Sequence, residues 1–260
     1  MTETNIDDNR GTVALFVTCL VDLFRPSVGF AAVRLLEDAG YRVEVPEQQT
    51  CCGQPAYNSG DNAHAIALAQ QVIAAFSDYD YVVLPSGSCA GTIVTHYPDL
   101  LRDDPEAQSA ARRLAGKTWE LTRFLTEVAG VQSLDVRRDG KVTYHDSCSG
   151  LRELGIHDQP RKLLGCVGGL EIEEMDDTDV CCGFGGTFCV KYPEISTRLV
   201  SDKVDNIQRT GTDTVLGGDL GCLLNIAGRM QRLGVPVKAY HVAEILAGLD
   251  DTAIGEGKKT

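Results

Sequence analysis

The sequence predicts an α/β protein made of two similar Rossmann-like halves, each a parallel sheet flanked by helices and related to the other by internal duplication. Three observations predict it. Short apolar runs of strand length alternate with longer amphipathic stretches along the 260 residues, the order that builds parallel sheets with helices on their faces. A cysteine pattern occurs twice, as Cys19, Cys51-Cys52 and Cys89, then as Cys148, Cys181-Cys182 and Cys222. The copies are offset by 130 residues at Cys51 and Cys181 and by 129 at Cys19 and Cys148. That period far exceeds the ~20–50 residues of a solenoid repeat, so it reads as two copies of one domain.

In the first half, the continuous apolar run from Val13 to Thr18 has the signature of a strand buried on both faces, with Cys19 at its end. A helix follows from about Ser27 to Ala39, its apolar stripe formed by Val28, Ala31, Ala32, Leu35 and Leu36 and its stop by Gly40. Tyr41 to Val45 reads as the second strand and leads to the Cys51-Cys52-Gly53 loop. Ser59 is the expected cap of a long helix to Phe76. Tyr81 to Leu84 is the third strand, ended by Pro85 and followed by Ser86-Gly87-Ser88-Cys89. Helices are expected over 103–115 and 120–128, and the charged stretch from Leu134 to Gly140 is the candidate boundary.

The second half repeats the order. Strands are expected at 141–145, 170–174 and 214–216, each followed by a cysteine loop, with a helix to about Leu164 and another from Pro193 to Arg209. Val235 to Ala239 is a candidate last strand and His241 to Leu249 a last helix. The expected domains are 11–135 and 136–250, with disordered tails at 1–10 and 251–260.

The formal net charge of −13 argues against a nucleic-acid partner, whose phosphates need clustered Lys and Arg. The acidic N-terminus lacks the form of a signal peptide, and no run reaches the ~18 apolar residues of a membrane span. A cytoplasmic location is the expectation, and there ten cysteines call for an explanation other than disulfides.

All six cysteine loops follow expected strands. Ligands bind beyond the carboxyl ends of parallel strands, so four cysteines from three loops should gather at one rim in each half. Four thiolates can hold zinc or an iron–sulfur cluster. Zinc knuckles usually space paired ligands two to four residues apart. The pairs here are adjacent, and neighbouring side chains diverge, which suits separate irons of a larger cluster better than one ion. Gly53 and Gly183 after each pair fit a tight turn against a bulky group, and Gly185 and Gly186 could bring backbone N–H groups to sulfur. A disulfide within either pair is disfavoured, because Cα atoms ~3.8 Å apart are closer than the usual ~4.4 Å minimum.

The spacings C-x31-CC-x36-C and C-x32-CC-x39-C, with Gly after each pair, resemble the CCG cysteine-rich domain. That domain occurs in the cysteine-rich component of heterodisulfide reductase, in the glycolate oxidase iron–sulfur component and in the lactate utilization protein A family. The last is the nearest resemblance, through Cys181-Cys182-Gly183-Phe184-Gly185-Gly186-Thr187-Phe188 and Lys191-x-Pro193-Glu194-Ile195-Ser196. The resemblance implies an iron–sulfur electron-transfer subunit acting in L-lactate oxidation to pyruvate with companion subunits, one of them also iron–sulfur. The fuller family pattern ends in C-x2-C. Here Ser86 and Asp219 stand where the first cysteine of that motif would be. Each site therefore keeps four cysteines, which favours two [4Fe–4S] clusters, with Ser86 and Asp219 as secondary candidates for oxygen ligands. Disulfide reduction at a cluster and a zinc-stabilised interaction module are the alternatives. His145, three residues before Cys148, is a candidate for tuning a cluster or carrying a proton. His241 reads as a cap-region residue and Cys166 as core, while Cys189 lies close in sequence to the second site.

Overall fold

The apolar runs become central strands because both of their faces are covered. The computed structural model describes residues 10–256. In the first half, β1 (Thr12–Leu15), β2 (Arg42–Glu44), β3 (Tyr81–Leu84) and β4 (Thr118–Glu120) form a parallel sheet in the order β2-β1-β3-β4. In the second, β5 (Arg137–His145), β6 (Gly168–Ile172), β7 (Thr214–Gly217) and β8 (Lys238–His241) form a sheet in the equivalent order β6-β5-β7-β8. All pairings are parallel, and helices complete an α/β architecture of two similar halves.

Alternation along the strands separates two cores. Val13, Leu15 and Val83 point into a large core that also contains Val142, Val215 and Leu216 of the second sheet. Ala14, Phe16, Val82 and Leu84 point the other way, into a smaller core with Ala69, Val72, Phe76, Ala111 and Leu114. The larger core is thus shared by both halves.

Several elements differ from the sequence expectation. The helix from Asn62 to Phe76 is capped by Asp61, whose carboxylate accepts from the His64 N–H at 3.4 Å, and Ser59 lies outside it. β4 is a strand of three residues, Thr-Trp-Glu, too short and too polar to show as an apolar run. The segment after Cys222 continues as a helix, Leu220–Leu233, because Leu220, Leu223, Ile226, Ala227 and Met230 form one buried face. The charged stretch read as a boundary runs into the start of β5. Residues 1–9 and 257–260 of the expected tails lie outside the described residues. Residues 251–256 pack on the second half: Ala253 and Ile254 are buried, and the Ile254 N–H donates to the Ala239 carbonyl at 2.8 Å.

Candidate metal centres

Each cysteine loop follows the carboxyl end of a strand, so the expected convergence occurs. At the first site, Cys19 begins the helix Cys19–Phe24 beyond β1, Cys51 and Cys52 lie beyond β2, and Cys89 sits in the helix Gly87–Gly91 beyond β3. Cys19 Sγ and Cys51 Sγ are 3.6 Å apart, and Cys52 Sγ and Cys89 Sγ are 3.3 Å apart. Gly53 follows at φ +81°, turning the chain away from the thiols into the helix Gln54–Asn58. The buried Tyr97 hydroxyl donates to the Cys52 carbonyl at 2.7 Å and fixes the paired loop from behind.

The second site repeats the arrangement. Cys148 begins the helix Cys148–Leu154 and meets Cys181, while Cys182 meets Cys222 in the first turn of Leu220–Leu233. The Gly183 N–H donates to Cys181 Sγ at 3.3 Å, and Gly183 also has φ +81°. Asn225 Nδ2 donates to the Cys182 carbonyl at 2.8 Å, the counterpart of the Tyr97 bond.

Each pair has one thiol ready to ionise. Hydrogen bonds from the Cys19 and Cys52 thiols, with the Gly53 N–H, pull Cys51 down to about 3. Donation from Cys148 and Cys182, with the Gly183 N–H, holds Cys181 well below the ordinary thiol range. The partners Cys19, Cys52, Cys148 and Cys182 are pushed up in turn, first by giving those hydrogen bonds and then by burial. A thiolate is the form that binds metal.

A cavity of about 190 Å³ opens beside the first site. Cys19, Cys51, Cys52 and Cys89 line it together with Ser86, and residues of the second half close it: Phe184, Gly186, Asp219, Leu220 and Gly221. One water occupies ~30 Å³ of liquid, so the space suits a group of many atoms better than a lone ion. The all-sulfur donor set is that of a soft metal centre.

The two oxygen candidates, Ser86 and Asp219, both line the first cavity and also make hydrogen bonds within the protein. Ser86 caps the helix Gly87–Gly91, its hydroxyl accepting from the Cys89 N–H at 3.3 Å. Asp219 turns toward the first half, where its Oδ2 accepts from the Ser88 N–H at 2.8 Å and lies 3.5 Å from Ser86 Oγ. Gly186 also lines the first cavity, whereas Gly185, at φ +52°, packs on Phe188. Cys189 Sγ points to the Gly186 carbonyl at 3.7 Å, and Cys166, which is half-buried rather than core, to the carbonyls of Gln132 and Lys162.

His145, the last residue of β5, is buried, and its ring nitrogen lies within 4.8 Å of the sulfurs of Cys182 and Cys222. Burial, and then the nearby Lys203 cation, bring its pKa down to about 3, so the ring is neutral. Lys203 itself is buried beside this site and donates to the carbonyls of Asp177 and Thr178. Sequence reading missed it. The available signal was a charge on the apolar stripe Val200, Val204 and Ile207 of the helix Pro193–Arg209. Tyr97 and Asn225 gave no signal, since their role depends on a carbonyl brought close only by folding.

A profile of the CCG cysteine-rich domain matches the chain twice, over residues 13–94 and 142–227. Lactate utilization protein A of Geobacillus kaustophilus is 50% identical over 234 residues, covering 90% of this chain and 98% of that protein. The protein of the same name from Halalkalibacterium halodurans is 49% identical over 234 residues, covering 90% and 96%. Among solved structures, a hypothetical protein from Helicobacter pylori superimposes with a TM-score of 0.58 at 13% identity over 96% of this chain. The match is one of fold, and it spans 50% of that longer chain.

Proposed function

The chain belongs to the lactate utilization protein A family, and from that membership we propose that it is an iron–sulfur electron-transfer subunit of L-lactate oxidation. Conversion of lactate to pyruvate releases two electrons and two protons. In this reading the chain relays the electrons and acts with companion subunits, one of them also an iron–sulfur protein, in the cytoplasm. The observation that carries the reading is the repeated gathering of four thiols from three equivalent loops in each half.

Cys19, Cys51, Cys52 and Cys89 would hold one [4Fe–4S] cluster, and Cys148, Cys181, Cys182 and Cys222 the other. Such a cluster, when bound, supplies a one-electron store whose potential depends on its surroundings. The protein's own residues set those surroundings. Hydrogen bonds from neighbouring thiols lower the pKa of Cys51 and Cys181 and favour the thiolate form that binds metal. Tyr97 and Asn225 keep the paired loops fixed through the Cys52 and Cys182 carbonyls. Phe184 and Leu220 present apolar surface to the first cavity and limit water there. Lys203 places a positive charge near the second set of thiols.

One observation favours a second reading. The sulfur separations of 3.6 and 3.3 Å lie close to the ~3.8 Å edge of a tetrahedral single-zinc site with bonds of ~2.3 Å. A zinc-stabilised interaction module would use the same residues. Anaerobic purification, with assays for iron, labile sulfide and zinc and an EPR spectrum after reduction, separates the two. About eight irons and eight sulfides per chain, reduced by lactate when companion subunits are added, is the expected result. Zinc without labile sulfide would overturn the electron-transfer reading.

A further inference from the structure

The surroundings of the two thiol sites differ, and one difference is His145. This side chain is 1% exposed, and neither of its ring nitrogens has a hydrogen-bond partner among the described residues. The Thr178 backbone lies near enough to favour the protonated ring but does not reach hydrogen-bond geometry. An unpaired buried polar atom is costly, so an imidazole is a poor filler for an apolar slot. Packing does not demand it either. The equivalent position in the first half, three residues before Cys19, is Phe16, which stacks on Phe76 with ring centroids 5.1 Å apart. The slot accepts a flat apolar ring in one copy of the domain and holds a ring with two nitrogens in the other.

His241 shows what this chain does with a buried histidine that has only a structural task. It is 0% exposed. Its Nε2 meets the Pro85 carbonyl at 3.1 Å, and its Nδ1 accepts from the Ala243 N–H at 3.2 Å. His145 has neither kind of partner. Its neighbours are the sulfurs of Cys182 and Cys222, with all three ligand atoms within 4.8 Å of one another and all three residues buried.

We propose that His145 supplies a ring nitrogen to the metal centre of the second site, beside Cys182 and Cys222, so that the second centre has a nitrogen ligand and the first has sulfur alone. The inference rests on the second site's holding a metal, whether iron or zinc. A neutral imidazole ligand raises the potential of an iron–sulfur centre, as histidine ligation does in Rieske proteins. The second centre would then be the better electron acceptor of the two.

The test uses the full chain labelled with 15N-histidine and purified without oxygen. In an iron-loaded protein, pulsed EPR of the reduced centres should show a directly bound histidine nitrogen that changes with the isotope. The signal should vanish in His145→Phe, which copies Phe16, and the higher of the two midpoint potentials should fall. In a zinc-loaded protein, X-ray absorption at the zinc edge should show nitrogen beside sulfur. If His145→Phe fails to fold, the labelled wild-type spectrum decides alone. Reduced centres with no bound histidine nitrogen, a signal that survives His145→Phe, or a zinc shell of sulfur alone would overturn the proposal. Zinc with bound nitrogen would leave this inference standing while removing the electron-transfer function, and iron ligated only by sulfur would do the reverse.

Discussion

Gly53 and Gly183 occupy the same place in the two cysteine motifs and share φ +81°, yet they should differ in their response to one added methyl group. Alanine at either position pays the left-handed backbone penalty of ~1–2 kcal/mol. At Gly53 little else opposes it, since a Cβ there would meet the Leu68 Cβ at 3.4 Å, an ordinary contact. At Gly183 the Cβ would lie 2.7 Å from the Ser196 carbonyl oxygen and 3.2 Å from the Ser196 Cα. Those atoms belong to the backbone of the helix Pro193–Arg209, which cannot swing aside as a side chain would. Relieving such a contact costs a further ~1–3 kcal/mol. Gly53→Ala is therefore expected to lose ~1–2 kcal/mol and Gly183→Ala ~2–5 kcal/mol. Guanidinium unfolding of both variants under anaerobic conditions, with metal content held equal, measures the difference. Equal losses, or a larger loss at Gly53, would refute the claim that the helix behind Gly183 fixes the second loop.

Three other perturbations have outcomes the structure sets. Arg161 donates to both carboxylate oxygens of the buried Asp146 at 2.9 Å, so Arg161→Ala should cost ~3–5 kcal/mol in denaturation, and Arg161→Lys should recover only part because it lacks the forked geometry. Burial raises the Glu120 carboxyl from 4.5 to about 6, against hydrogen bonds from Thr122 and the Arg123 N–H that lower it. The folded state then holds the proton more tightly than the unfolded one, so stability falls as pH rises through 4.5 to 6, by ~2 kcal/mol in full. Glu120→Gln should abolish that fall in urea titrations at pH 4 and 7, and a variant with unchanged pH dependence would count against the assignment. Tyr97→Phe removes the hydroxyl from the Cys52 carbonyl and should cost ~1–3 kcal/mol. It should also speed chelator removal of metal from the first site while leaving the second unchanged, as read by metal release over time.

The sheets were legible because the strands of a doubly covered sheet must be apolar on both faces, and runs such as Val13 to Phe16 and Tyr81 to Leu84 have no other use in a chain of this composition. The cysteine spacing then pointed to two gatherings of thiols near the strand ends, since each cysteine loop lies just beyond a strand's carboxyl end. Contacts between distant segments were not legible. Asp219 carries the same local pattern as Ser86, and nothing in the chain around it says that its carboxylate crosses to the Ser88 N–H of the other half. β4 escaped because its three residues owe their strand geometry to pairing with β3 rather than to their own pattern. His145 was visible as a histidine beside a cysteine, but its unpaired nitrogens exist only once the surrounding side chains close over it.

Duplication alone would give two independent sites, each finished within its own half. The first site is instead finished by loops of the second half. The helix that starts at Cys19 packs on Leu220–Leu233, and Gly87–Gly91 packs on the helix that starts at Cys148. The second contact is close because it is made by glycines: a Cβ on Gly87 would stand 2.9 Å from the Gly150 Cα. Asp219 and Ser86 hold equivalent positions in the repeat, and they meet across this junction. The wall of the first cavity from Phe184 to Gly221 belongs to the second half. The larger core is also common to both sheets, so the first site is completed, and the larger interior filled, by both halves together. A group bound in the first cavity would therefore touch both halves, since Cys19, Cys51, Cys52 and Cys89 face Phe184, Asp219 and Leu220 across it.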